Sequence, residues 1–140
     1  MSVREQNLDS VGAVLATFAV HQTAGSDDLT DADIGKAVTL TDNYEVGPGT
    51  DDAVLLGTLI DLTLQDADSG NRVATVQIGG VCTIPVSAAV PAVGDMVVCG
   101  PNGTVKQAPA LIGNDPAGGN ISRGHVLAVN GATDCTILIR

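Results

Sequence analysis

Residues 29–40, LTDADIGKAVTL, and residues 88–99, AAVPAVGDMVVC, share a pattern that decides how the chain is organised. The Ile-Gly pair at 34–35 aligns with the Val-Gly pair at 93–94, and an apolar run follows each pair. Self-similarity at a distance indicates a repeated structural unit. The sequence therefore predicts two related units within one chain.

Three further blocks recur in the same order. They are DNYEVGPG at 42–49 with PNGTVKQA at 101–108, LLGTLIDL at 55–62 with SRGHVLAV at 122–129, and ATVQI at 74–78 with CTILI at 135–139. The connections between blocks differ in length, which is expected when strands are duplicated and loops diverge. We place the repeats at about 29–79 and 88–140.

The composition favours a β fold with an aliphatic core. The chain is 44% hydrophobic, but its only aromatic residues are Phe18 and Tyr44. Val and Thr suit a pleated sheet, and the 17 glycines suit tight turns. We predict an all-β fold, a small β-barrel or sandwich built from two similar β units that pack face to face. Residues 1–28 would form an N-terminal arm and lead-in strand, and residues 29–140 a single barrel domain.

Several segments have a specific structural expectation. The run VGAVLATFAV at 11–20 is too continuous for a half-exposed strand and fits a buried strand or a short helix, of which we favour the strand. The glycines at 79–80 predict a corner or a two-residue turn. DADSGN at 66–71 predicts a hairpin turn, and the Pro- and Gly-rich residues 109–120 a long loop.

Charge, aromatic content and the length of apolar segments argue against two classes of partner. The formal net charge is -10, whereas binding of nucleic acid needs Lys and Arg to neutralise phosphates. The shortage of aromatic residues also removes the platforms on which single-stranded bases stack. No segment approaches the roughly 20 apolar residues of a membrane span, and the N-terminus lacks the pattern of a signal peptide. We therefore expect neither nucleic acid nor a membrane as a partner.

The cysteines and histidines do not form a metal-binding pattern. Cys82, Cys99 and Cys135 each lie in an apolar run, which predicts small buried side chains in a reducing compartment. His21 and His125 have no cysteine or carboxylate at a spacing that would build a metal site, and they are expected to be surface or hydrogen-bonded residues. We predict no metal and no cofactor.

Acidic and glycine-rich stretches give no catalytic constellation. The sequences starting at Asp31 and Asp66 begin like calcium loops but lack the later ligands of an EF-hand, so they predict turns. The acid pairs at 27–28 and 51–52 lie in loops and are interpreted as solubilising charge. The chain contains no GxSxG nucleophile elbow, and no glycine-rich stretch has the strand-and-helix context of a phosphate loop. We predict that the protein is not an enzyme and has no catalytic residues.

Over residues 29–140 the chain resembles the small β-barrel type of capsid decoration, or cement, proteins of tailed bacteriophages. The resemblance is carried by these five segments: IGKAVTLTDN at 34–43, TVQIGGVCTIPV at 75–86, VGDMVVCGPNGTVKQA at 93–108, RGHVLAVNG at 123–131 and CTILIR at 135–140. The lead-in at 29–35, the run at 11–20 and the loop at 109–120 depart from that pattern.

The resemblance implies a structural virion protein on the exterior of the phage capsid, assembled in the host cytoplasm. Its partners would be the major capsid protein and further copies of itself, as a homotrimer. Two alternatives remain from the sequence. One is a small carbohydrate-binding β module, which the shortage of aromatic residues disfavours. The other is a trimeric enzyme similar to dUTPases, for which GTLID at 57–61 is a partial match without the accompanying phosphate motifs.

Overall fold

The computed structural model describes residues 10–63, 72–109 and 122–140. The predicted all-β fold is confirmed, since the described residues form eleven strands and two single-turn 3-10 helices, at Asp31–Asp33 and Pro101–Gly103. The strands are β1 Val14–Val20, β2 Gln22–Thr23, β3 Ser26–Asp27, β4 Ala37–Asp42, β5 Glu45–Pro48, β6 Gly57–Leu62, β7 Val73–Pro85, β8 Val97–Cys99, β9 Val105–Gln107, β10 His125–Asn130 and β11 Asp134–Ile139. The predicted arm before residue 10, the hairpin turn at 66–71 and nearly all of the loop at 109–120 lie outside the described residues.

The first unit is a closed five-stranded barrel. Around the wall the order is β1, β5, β4, β6 and β7, and β7 pairs again with β1 to close it. All of these pairings are antiparallel except β1 with β5, which run parallel. The interior is aliphatic, as the composition predicted. Its buried members are Val20, Leu29, Val38, Val46, Leu59, Leu62, Ala74 and Val76.

The second unit repeats this strand order and uses the second half of β7 as its own first strand. Residues 80–85 of β7 pair antiparallel with β11, which pairs with β10, while β8 pairs with β9. Single bridges from Val86 to Val105 and from Met96 to His125 join these pairs. The second core is also aliphatic, with buried Ala37, Leu55, Cys82, Ile84, Val86, Val97, Cys99, Val105, Val126, Cys135, Ile137 and Ile139.

The two units agree residue by residue in their hydrogen-bond register. Leu59 pairs with Val76 in the first unit, and Val126 pairs with Ile137 in the second. Each pair is followed by a one-residue bulge in the same strand. Such bulges are built features of a sheet, so their recurrence is informative. The prediction of two similar β units is confirmed.

The prediction of a turn at Gly79-Gly80 is wrong, because β7 runs through both glycines as one strand of 13 residues. Gly80 has a φ of +90°, and a Cβ there would lie 2.6 Å from the carbonyl group of Gly12. The glycine therefore permits a close backbone approach in the middle of a strand. The units do not pack face to face as expected, because they share β7 and their buried residues form two clusters, the second of which also contains Ala37 and Leu55 of the first unit.

The run at 11–20 forms a strand, as favoured, but it is not a buried one. Burial along β1 alternates, and Leu15 on the outer side is 56% exposed while Val20 is buried. The strand pairs within its own chain, with β5 and β7. It is therefore a half-exposed wall of the first barrel.

Candidate interaction surfaces

Arg123 connects the two units through backbone carbonyl groups. Its guanidinium donates hydrogen bonds to the carbonyl oxygens of Leu56, of Ile78 at 2.5 Å and of Arg140 at 2.9 Å. These oxygens lie where β6 begins, where β11 ends and halfway along β7. Burial lowers the pKa of Arg123 from its usual value, but a guanidinium remains charged. One cation thus satisfies carbonyl groups at the junction of the two units.

An apolar groove opens beside this junction. It has a volume of about 360 Å³ and is lined by Thr39, Leu40, Val54, Leu55, Leu56 and Arg123. Leu40 is half exposed here, whereas the corresponding residue of the second unit, Cys99, is fully buried. The groove therefore has residues of both units in its lining, and Leu40 contributes an apolar side chain that its counterpart buries.

His21 lies in a polar pocket and has a carboxylate partner that its sequence spacing did not reveal. The Nδ1 atom of His21 is 2.5 Å from Oδ2 of Asp28, and the Thr23 hydroxyl donates to the same carboxylate at 3.0 Å. The short hairpin of β2 and β3 brings these residues together. The hydrogen bond to Asp28 raises the pKa of His21, and the bond to His21 lowers the pKa of Asp28. The pair closes the hairpin with a charge-assisted contact.

The acid pairs at 27–28 and 51–52 do more than solubilise the chain. Asp51 and Asp52 both contact Nζ of Lys106, at 2.8 and 2.7 Å, and these bonds raise the pKa of Lys106. Asp27 accepts a hydrogen bond from the Gln22 side chain at 2.9 Å. Each acid is thus held by a polar or cationic group of the same chain.

Ion pairs engage most cations of the described surface. Lys36 lies 3.8 Å from Asp33, Arg72 lies 2.7 Å from Asp31, and Lys106 contacts two acids. With 16 acidic and 6 basic residues in the chain, the exterior stays acidic after this pairing.

All three cysteines are buried, as predicted. Burial raises the pKa of Cys99 and of Cys135 to about 12. A thiol with such a pKa carries almost no thiolate near neutral pH and is a poor nucleophile. These side chains pack as small apolar groups in the second core.

Tyr44 is the most exposed large apolar side chain of the described residues, at 83%. It occupies the tip of the β4–β5 hairpin with a φ of +53°, in the left-handed region that favours glycine. The corresponding residue in the second unit is Gly103. The first unit therefore presents one aromatic ring at a position that its counterpart fills with glycine.

Among residues 10–63, 72–109 and 122–140, no group of three His, Cys, Asp or Glu side chains could hold a metal ion. Within the same residues, no helix has the length and apolar character needed to cross a bilayer. The chain matches no protein-family model, and no curated protein is similar to it in sequence.

Proposed function

We propose that this chain is a capsid decoration protein that binds the outside of a phage head and stabilises it by joining neighbouring subunits of the major capsid protein. The observation that carries the proposal is the duplication itself, in which two units of the same strand order and register stand in one chain. A bridging protein needs at least two contact points, and a duplicated unit supplies them in similar form.

Bridging of this kind needs no reactive group. Each contact with the shell can be modest, because the second contact forms at the high effective concentration set by the first. A rigid connection between the contact points keeps that concentration high. The strand shared by the two units and the Arg123 hydrogen bonds across the junction fit this requirement.

The acidic exterior suits a protein that covers a particle densely. Net negative charge keeps such particles soluble and disfavours their mutual adhesion. Assembly in the host cytoplasm agrees with buried, reduced cysteines. We further propose that the protein acts as a homotrimer on the capsid exterior.

The proposal is tested with heads of the encoding phage assembled without this protein. Purified protein is mixed with these heads, and co-sedimentation and resistance of the heads to heat and chelator are measured. We expect binding together with a rise in the temperature of head disruption. Absence of binding to such heads would refute the proposal. Light scattering of the free protein tests the trimer separately.

A carbohydrate-binding module is the second candidate, and Tyr44 is the observation that favours it. An exposed aromatic ring can stack on a sugar face. A glycan array with the wild-type protein and Tyr44→Ala separates the candidates, since binding that depends on this ring would support the module. A nucleotide-hydrolysis assay tests the dUTPase-like alternative.

A further inference from the structure

Both units have an exposed apolar residue at each of two equivalent positions. The first position precedes a glycine in a tight turn and holds Ile34 in one unit and Val93 in the other, which are 42% and 66% exposed. The second is the extra residue of the bulge and holds Ile60 and Leu127, which are both 41% exposed.

The backbone places the two positions of each unit side by side. The amide of Gly35 donates to the carbonyl of Leu59 at 2.7 Å, and that of Gly94 donates to Val126 at 2.9 Å. Ile34 precedes Gly35 in the sequence and Ile60 follows Leu59, so both lie next to this hydrogen bond. We call the side chains of Ile34 and Ile60 the first patch, and the corresponding side chains of Val93 and Leu127 the second patch.

A glycine with positive φ and a β-bulge position the side chains of each patch. Gly35 and Gly94 have φ values of +92° and +90°, which fix the same turn in each unit. A β-bulge turns a side chain out of the regular alternation. The glycine turn and the β-bulge thus each expose an apolar residue to solvent, and both features occur in each unit.

Three other exposed apolar residues of the described chain lack this correspondence. Leu40 aligns with the buried Cys99, Tyr44 with Gly103, and Val73 with Asp134. Scattered apolar residues on a surface are ordinary, but apolar residues kept at matched exposed positions in diverged units point to a shared contact.

We infer that each patch docks one subunit of the same partner protein, so that one chain holds two subunits through equivalent contacts. This inference rests on the proposed function and names the surface that performs it. Because the docking element is duplicated, the two partner subunits offer the same recess.

Charge decides against a second copy of this chain as the occupant. Asp33 and Asp61 flank the first patch in sequence, and Asp95 follows the second. A second copy docked patch to patch would bring these carboxylates close together, where they would repel each other. The partner therefore presents an apolar recess with Lys or Arg at its rim.

The test compares four variants with the wild type on heads lacking this protein. They are Ile34→Thr with Ile60→Thr, Val93→Thr with Leu127→Thr, all four substitutions together, and the control Val14→Thr with Val73→Thr. The control removes the same number of exposed apolar residues from positions outside the patches. Thermal melting of each free protein verifies that it folds.

We expect either single-patch variant to bind heads at least about tenfold more weakly and to lose the heat protection, because one contact anchors the chain but cannot bridge. The four-site variant should not bind, and the control should behave as the wild type does. Single-patch variants that protect heads like the wild type would overturn the inference but leave the proposed function standing. Failure of the wild type to bind would refute both.

A second experiment maps the contact on the wild-type protein and therefore does not depend on the folding of a variant. Hydrogen exchange on decorated heads should slow at residues 58–61 and 126–128, next to both patches. Unchanged exchange there would contradict the inference, as would patch variants that dissociate an oligomer of the free protein, because the patches would then bind a second copy.

Discussion

The guanidinium of Arg123 donates a hydrogen bond of 2.5 Å to the carbonyl oxygen of Ile78, in the middle of the strand that belongs to both units. In the first unit the position that corresponds to Arg123 is Leu56. The second unit thus carries a cation where the first carries an aliphatic side chain, and that cation bonds to the carbonyl of Leu56 itself. The residue that differs between the repeats, Arg123, therefore adds hydrogen bonds between the two units to the connection made by β7.

Replacing Arg123 with leucine, the residue at the corresponding position of the first unit, should therefore destabilise the whole chain. Arg123→Leu leaves the carbonyl groups of Ile78 and Arg140 without this donor, and we expect a loss of about 2–4 kcal/mol in the free energy of unfolding. Urea titration followed by circular dichroism measures it. Lys36→Gln is the control, because its ion pair with Asp33 is partly exposed to solvent and long, at 3.8 Å, and we expect a change below about 0.5 kcal/mol. Equal effects of the two substitutions would refute the role of Arg123.

The His21–Asp28 pair should make stability depend on pH. The pKa of His21 is raised above 6.5 in the folded state, so its contribution is complete below pH 6.5 and is lost as the pH rises through the folded value. The pKa of Asp28 is lowered below 3.8, so its contribution is present above pH 3.8 and is lost as the pH falls through the folded value. The pair therefore stabilises the hairpin most between about pH 4 and 6.5.

The pH dependence is measured by melting the wild type and His21→Gln side by side. The difference in Tm should be largest near pH 5 and smaller at pH 9. An NMR titration of His21 should give a pKa above 6.5 in the wild type and a lower pKa in Asp28→Asn. A Tm difference that does not vary with pH, or an identical His21 titration in both proteins, would contradict the pairing.

The buried thiols should be protected from reagents that attack thiolates. With pKa values of about 12 for Cys99 and Cys135, we expect no reaction of the folded protein with Ellman's reagent at pH 8 over minutes. Unfolding in guanidinium chloride should release all three thiols. Cys99→Ser should cost about 1–3 kcal/mol, because a hydroxyl enters an aliphatic core. Rapid labelling of a thiol in the folded state would show that the second core is open.

Among the glycines of residues 10–63, 72–109 and 122–140, Gly57 leaves the least room for a methyl group. A Cβ there would lie 1.9 Å from the carbonyl oxygen of Gln77, on the neighbouring strand. We expect Gly57→Ala to destabilise the protein by more than about 3 kcal/mol or to prevent folding. Gly94→Ala is the control, since its φ of +90° is unfavourable but the space around it is open, and it should cost about 1–2 kcal/mol. Expression yield and Tm distinguish the two, and equal effects would contradict the close approach at Gly57.

The sequence predicts the duplication because pairing in the sheet depends on the alternation of apolar residues, which both repeats retain. It does not reveal that residues 80–85 form the first strand of the second unit. Two adjacent glycines normally mark a turn, and here the close approach of Gly12 requires glycine at position 80 inside a strand instead. The match between LATFAV at 15–20 and VCTIPV at 81–86 is the signal that could have found it.

Side-chain partnerships are harder to predict than strands. His21 and Asp28 are seven residues apart and meet only because a hairpin turns between them. Arg123 bonds to carbonyl groups, and every residue has one, so no residue type in the sequence marks its partners. The patches became visible only after the register of both units was known, because exposure cannot be inferred from an apolar residue alone.

The sharing of β7 has a consequence for how the molecule melts. A cut between residues 79 and 80 would leave residues 73–79 with the first unit and residues 80–85 with the second, and it would remove only the continuous backbone that joins them. The units are also coupled through their packing, because Ala37 and Leu55 lie in the first unit but belong to the second core. We therefore expect calorimetry to record a single cooperative unfolding transition, with no intermediate in which one unit is unfolded and the other is folded.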